Sequence, residues 1–224
     1  MDAIINTLFV WVLPVAITLT GLYFAFRTEI LRDAVTGPRT DFRMVPYSFA
    51  RTQLLWWSVI IISCFCAYYG HNGLVFDLTN QGDHTYLYLL GISMGTTAAA
   101  KIIDNTDISQ KVVRHQDANS SRGFLFDILS DDSGISVHRF QAVAFNTIFG
   151  LMFILHFLKK GTFLELGEFE LGLMGISSAA YIGMKLNENA SGKSPAGSSG
   201  AVDEENLRDI DESYRIASGK IEPN

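Results

Sequence analysis

Stretches free of charged side chains alternate with polar segments along this chain, at residues 3–26, 52–76, 85–100, 140–158 and 171–184. A helix rises about 1.5 Å per residue, so about 20 apolar residues cross the hydrocarbon core of a bilayer. The first, second and fourth stretches meet that length outright. The third and fifth are short, but each ends at a lysine, Lys101 or Lys185, whose ammonium can snorkel to the headgroups and lengthen the span. The pattern predicts an all-α transmembrane protein with five helices. The first stretch is too long for the apolar part of a cleaved signal peptide, has Asp2 as its only preceding charge, and meets no Ala-x-Ala-like site, so it is expected to be retained. Pro14 in its interior predicts a kink.

The stretches are not independent. Leu90-Gly91-Ile92-Ser93 in the third matches Met174-Gly175-Ile176-Ser177 in the fifth, and Lys101 and Lys185 follow at the same spacing. Upstream, Ser48-Phe49-Ala50-Arg51-Thr52-Gln53 matches Ser136-Val137-His138-Arg139-Phe140-Gln141, each just before a long apolar run. A repeated unit changes what the whole fold can be. The expected architecture is one leading helix followed by two hairpin repeats of the same orientation, comparable to parallel repeats related by an axis along the membrane normal. The corresponding divisions are a first helix and loop (1–45), repeat 1 (46–102), a connecting loop with an interfacial helix (103–134), repeat 2 (135–188), and a flexible acidic tail (189–224).

Apolar residues make up 48% of the chain and charged ones 18%, below the ~25% of ordinary soluble domains. The basic residues are distributed unequally. Arg27, Arg32, Arg39, Arg43 and Arg51 surround the first connection, and Lys101, Lys111, Arg114, Arg122 and Arg139 the third, whereas the opposite side has only Lys159 and Lys160. Basic loops stay inside, so the N-terminus is expected outside and the C-terminus in the cytoplasm. A net charge of −6 and an acidic tail argue against nucleic acid as a partner.

Candidate chemistry is sparse. No Asp, Glu, Lys or Arg lies within the apolar runs away from their ends, which argues against an ion-coupled carrier. No catalytic constellation, cofactor motif or metal-ligand spacing is present: Cys64 and Cys66 face different directions on a helix, the histidines are scattered, and Asp127, Asp131 and Asp132 do not follow an EF-hand pattern. The membrane runs are instead rich in small and hydroxyl-bearing residues. Gly91, Ser93, Gly95, Thr96 and Thr97 in the third helix, and Gly175, Ser177, Ser178 and Tyr181 in the fifth, read as helix-packing positions or, in an oligomer, as pore-lining ones. Asn146 in the fourth helix reads as an interhelical hydrogen bond or as a member of that pore. Arg51, Gln53, Arg139 and Gln141, with Lys101 and Lys185, form a candidate interfacial lock, each arginine holding carbonyls or a carboxylate at the end of a returning helix.

In the connecting loop, residues 123–129 suggest a short interfacial helix. In the tail, Leu207, Ile210 and Tyr214 share one helical face, a docking helix for a soluble partner or, more plainly, part of an unstructured acidic tail. At residues 46–53, 134–141 and 173–181 the chain resembles a group of uncharacterised bacterial multi-span membrane proteins, over roughly 46–185. The resemblance implies a bacterial inner membrane and supplies no activity. The expected role is a non-enzymatic, self-associating membrane subunit in the lipid bilayer that anchors a cytoplasmic protein through 103–136 and 201–224. The alternative is an oligomeric channel or pore lined by the third and fifth helices.

Overall fold

The computed structural model describes residues 2–35, 41–73, 84–110, 120–131 and 134–188; the predicted tail helix lies outside these residues, as do Arg39, Lys111, Arg114 and Asp132. The described chain is almost wholly helical. In order, it forms α1 (Asp2–Thr7), a π-helical turn (Leu8–Val12), α2 (Leu13–Arg27), α3 (Phe49–His71), α4 (Thr85–Ser109), α5 (Phe124–Leu129), strands β1 (Ser130–Asp131) and β2 (Gly134–Ile135), α6 (Val137–Lys160) and α7 (Glu168–Glu188). Four helical spans are long and apolar enough to cross a membrane: Ile4–Arg27, Phe49–His71, Thr85–Ser109 and Val137–Lys160. α7 is not among them, because Glu168 and Glu170 occupy its first turn and Lys185 its last, which shortens its apolar length. The all-helical membrane class therefore stands on these four spans.

Pro14 falls in the first turn of α2, directly after the π turn. A proline ring collides with the carbonyl four residues earlier, and a widened turn gives it room. The leading helix stays continuous as a result. Only 11% of its apolar window is buried, with Trp11, Val15, Leu19, Leu22 and Phe26 all exposed, as suits a helix whose surroundings are lipid.

Helix α3 is the hub. It packs against α1, the π turn, α2, α4 and α6, while α7 packs against α4 and α6. The ring order is therefore α3, α4, α7, α6, with α1 and α2 outside it against α3. Like helices of the two hairpins are neighbours, α3 beside α6 and α4 beside α7. A central two-fold axis would set them diagonally, so the hairpins lie side by side instead.

Close approach to α3 is made possible by glycines. A Cβ added at Gly21 would lie 2.8 Å from Val59 Cγ2, one at Gly70 would lie 2.8 Å from Phe9 Cβ, and one at Gly150 would lie 2.7 Å from Trp56 Cε2. Asn146 sits one turn before Gly150 on α6 and joins the same contact. Its side-chain oxygen accepts from Trp57 Nε1 at 2.7 Å, and its backbone oxygen from Trp56 Nε1 at 3.0 Å. Its amide nitrogen donates back to the Ala142 carbonyl at 2.8 Å. Asn146 is thus an interhelical hydrogen-bonding residue within one subunit.

The two ends of the bundle differ. At one end the turn after α6, opened by left-handed Gly161 (φ 70°), inserts Phe163 among Phe65, Tyr68, Tyr86, Phe153 and Phe157, with ring centroids 4.9–6.2 Å away. Leu166 N donates to the fully buried Thr85 Oγ1 at 3.1 Å and closes that aromatic end. At the other end, the polar end, the finish of α2 meets the starts of α3 and α6 and the finishes of α4 and α7. There Ser48 and Ser136 occupy the N-cap positions of α3 and α6 with nearly the same backbone angles, φ −90°, ψ 123° and φ −95°, ψ 130°. Each serine N–H donates to a leucine carbonyl, Leu31 at 2.7 Å and Leu129 at 2.9 Å. Each following segment is braced by an antiparallel bridge, Arg32 to Tyr47 and Ser130 to Ile135.

Because lipid competes for apolar surface as well as a neighbouring helix does, the α3–α6 contact depends on steric fit and hydrogen bonding. A double-mutant cycle of Trp57→Phe and Asn146→Ala should return a coupling of about 0.6 to 1.7 kcal/mol, measured by unfolding in mixed micelles. A coupling near zero would mean the bond contributes nothing in the membrane.

Candidate functional site

The charged residues that the membrane pattern excludes from its middle gather at the polar end. Asp33 follows α2, Asp104 lies less than one turn beyond Lys101 on α4, and Lys185 lies in the last turn of α7. Lys185 Nζ is 3.2 Å from Asp104 Oδ1, 3.3 Å from Asp104 Oδ2 and 3.5 Å from Asp33 Oδ2. Its side chain is only 4% exposed, that of Asp104 6% and that of Asp33 14%. Asp107, on the same face of α4, is buried beside them in sequence. Lys185 is therefore not a snorkelling residue: two carboxylates compensate its charge inside the protein, and the α7 C-terminus adds a favourable dipole. α4 had to extend beyond Lys101, to Ser109, to present those carboxylates.

A second polar centre fixes the segments around it. Arg32 is buried, with its guanidinium 3.6 Å from the centroid of the Tyr47 ring. Its Nη1 donates to the carbonyls of Val45 at 2.6 Å and Arg43 at 3.3 Å, and to Ser121 Oγ at 3.3 Å. Ser121 Oγ in turn donates to Asp127 Oδ2 at 2.6 Å, and Asp127 also accepts from Tyr47 N at 3.1 Å and Arg122 N at 2.9 Å. Asp127, considered above as a calcium ligand, thus spends its oxygens on protein donors. α5 forms at the predicted place. Phe124 and Ile128 pack into the core beside Tyr47, while Leu125 and Phe126 are exposed and Arg122 lies 5.3 Å from the Phe126 ring.

The predicted packing positions separate into two faces. Ser93, Thr96, Ser177, Ser178 and Tyr181 are buried, and half-buried Thr97 donates to the Ala50 carbonyl of α3 at 3.0 Å. Gly91 and Gly95 are exposed, Gly175 is half-buried, and a Cβ at any of the three would meet nothing within 4 Å. Above the buried hydroxyls, Trp57, Leu89, Phe153 and Met174 are at most 1% exposed and fill the bundle interior. No open path follows the hydroxyls through a single subunit among the described residues.

The predicted lock residues also separate. Buried Gln53 donates through Nε2 to Ser178 Oγ at 3.3 Å, linking α3 to α7 across the ring, whereas Gln141 is exposed. Arg139 lies 5.4 Å from the Tyr181 ring of α7. Arg51 is half-buried and makes no hydrogen bond or ion pair with the described residues, and Lys101 is exposed. Of the two lysines, only Lys185 reaches a carboxylate in the interior. Its partners were absent from the candidates because Asp33 and Asp104 sit outside the repeated motif. A signal for Asp33 is the paired Ile30-Leu31-Arg32-Asp33 and Ile128-Leu129-Ser130-Asp131, which lead to the same leucine–serine bonds; nothing comparable marks Asp104.

Chemically, the buried triad holds three chain segments together. Among the described residues no group of three or more His, Cys, Asp or Glu is placed to hold a metal ion. The chain matches no family model, no curated protein sequence and no solved structure.

Removing the cation from this triad leaves two carboxylates buried without their lysine. Lys185→Met should destabilise the protein by about 3–5 kcal/mol, while Lys101→Met should change its thermal midpoint little. Adding Asp33→Asn and Asp104→Asn to Lys185→Met should recover much of the loss. If Lys185→Met unfolds at the wild-type midpoint, the triad does not hold the polar end together.

Proposed function

We propose that the protein is a multi-pass, self-associating subunit of a bacterial inner membrane that presents a structured polar platform to a cytoplasmic partner. α7 serves as a fifth span: its outward residues Leu173, Ile176 and Leu186 are exposed and apolar, and its charges lie at its ends. With the arginine-rich connections inside, the N-terminus is outside and the C-terminus cytoplasmic. The two hairpins descend from one duplicated unit, a reading supported by the matched serine caps and leucine carbonyl bonds.

The observation that carries the platform reading is the contrast between the ends. Among the described residues the aromatic end carries a short sealing turn, whereas at the polar end Arg32, Asp127 and Lys185 tie together segments from both connections. A pore lined by Ser93, Thr96, Ser177 and Ser178 gains no support, because these side chains point into the subunit. The outward small faces of α4 and α7 suit close helix contact between copies, Gly91 and Gly95 being spaced one turn apart.

Gly95→Leu should lower the oligomer mass in mild detergent by light scattering and leave the subunit's unfolding midpoint within a few degrees, since open space surrounds that position. An unchanged mass would remove α4 from the interface. Purified from native membranes, the full chain should carry a stoichiometric second polypeptide that is lost on deleting 201–224. Identical composition with and without those residues would end the anchoring reading.

A further inference from the structure

Beside the triad lies a cavity of about 330 Å³, where α2 ends and α3 begins, lined by Glu29, Arg32, Asp33, Ala34, Val35, Val45 and Arg51. Its charges are unevenly used. Asp33 is committed to Lys185 and to the Ala34 N–H, the latter at 3.0 Å. Arg32 is only 7% exposed, its Nη1 is saturated, and its plane is fixed against Tyr47, yet its Nε–H is buried without an acceptor. A buried donor in that condition carries an unmet hydrogen bond, because burial removes the water that would otherwise serve it. Among the described residues Arg51 has no partner, and Glu29 is exposed at the same cavity without forming an ion pair to it. Opposite charges therefore line one hollow without meeting.

The duplicate position explains why Arg51 is left free. Four residues after each Gly-Ile-Ser serine, the returning helix touches the start of its own hairpin, through Tyr181 in the second and Thr97 in the first. Tyr181 gives Arg139 a ring to lie over. Thr97 bonds to the Ala50 carbonyl and has no ring to offer Arg51.

We propose that this cavity binds a phosphoethanolamine group, its phosphate on Arg51 beside the Arg32 guanidinium and its ammonium on Glu29. Guanidinium groups match phosphate oxygens in charge and planar geometry. The carboxylates beside them disfavour a bare dianion and favour a phosphodiester that carries its own cation. A cavity at the membrane boundary, within the first turn of α3, can receive this group from a phospholipid headgroup or from a soluble phosphoethanolamine compound.

The test uses the full chain in a maltoside detergent, with thermal unfolding read against dihexanoyl phosphatidylethanolamine, dihexanoyl phosphatidylglycerol, dihexanoylglycerol and free phosphoethanolamine. The phosphatidylethanolamine should raise the midpoint saturably, several-fold more tightly than the phosphatidylglycerol, and dihexanoylglycerol should do neither. Arg51→Gln should unfold at the wild-type ligand-free midpoint and bind at least tenfold more weakly; Glu29→Gln should abolish only the preference between the two lipids. A shift with free phosphoethanolamine assigns a soluble source, and a shift with the lipid alone assigns a headgroup. No saturable shift with any phosphate-bearing probe, equal binding by Arg51→Gln, or equal response of the wild type to the two phospholipids would overturn the proposal. If Arg51→Gln cannot be purified, Arg51→Lys is read in its place: weakened binding supports the site, and unchanged binding overturns it.

Discussion

Helix α3 can be a hub only because three neighbours come close enough to it without losing hydrogen bonds. In lipid the gain from burying apolar surface between helices is largely cancelled, so contact must come from fit and from polar bonds that hydrocarbon cannot supply. The α3–α6 seam meets both conditions at once. Gly150 leaves the space that the Trp56 indole fills, and Asn146, one turn earlier, accepts from both adjacent tryptophans. Neither feature suffices alone, since a larger residue at 150 would displace the indole and an apolar residue at 146 would leave a buried N–H. The positions of α4 and α7 follow from this seam, because each hairpin is carried by its first helix.

Once the hairpins are fixed side by side, their returning helices are brought together and the charges at their ends must be compensated. The solution is asymmetric. Lys185 lies inside and draws Asp104 from α4 and Asp33 from the segment after α2, while Lys101, at the matching place in the other hairpin, stays exposed. α4 and α7 touch along the ring but occupy different positions in it: α4 lies against α3, next to the leading helix, and α7 against α6. Equivalent sequence therefore does not mean equivalent surroundings, and the same residue type becomes a clasp in one copy and surface in the other.

Much of the helical layout is legible in the charge-free runs, since lipid imposes a length and a composition that few other constraints imitate. Asn146 is legible for a related reason: an amide in the middle of an apolar run must find a partner. The lock is not legible in the same way. Arg51 and Arg139 attract attention through their repetition, yet the ion pairs form from Asp33 and Asp104, which the repeat comparison passes over. Long-range pairing depends on which helix ends meet, and that depends on ring order, which motif spacing does not encode. The two faces of α4 and α7 illustrate the remaining gap. Small and hydroxyl residues form a single compositional class along the chain, but Ser93 and Ser177 face the interior while Gly91 and Gly95 face outward.

The same asymmetry bears on what the polar end can do. Where Tyr181 stands, the arginine at the start of the hairpin has a ring to lie over, and the ring itself is buried against Phe49 at 4.8 Å. Where Thr97 stands, the hydroxyl serves a backbone carbonyl, and the arginine faces a hollow instead of a side chain. The two hairpins make one contact in two forms, and the smaller residue, Thr97, leaves its arginine without a ring. That arginine lies beside Asp33, a member of the triad that joins α2 to α4 and α7. The hollow thus shares Asp33 with the clasp that holds the helix ends together.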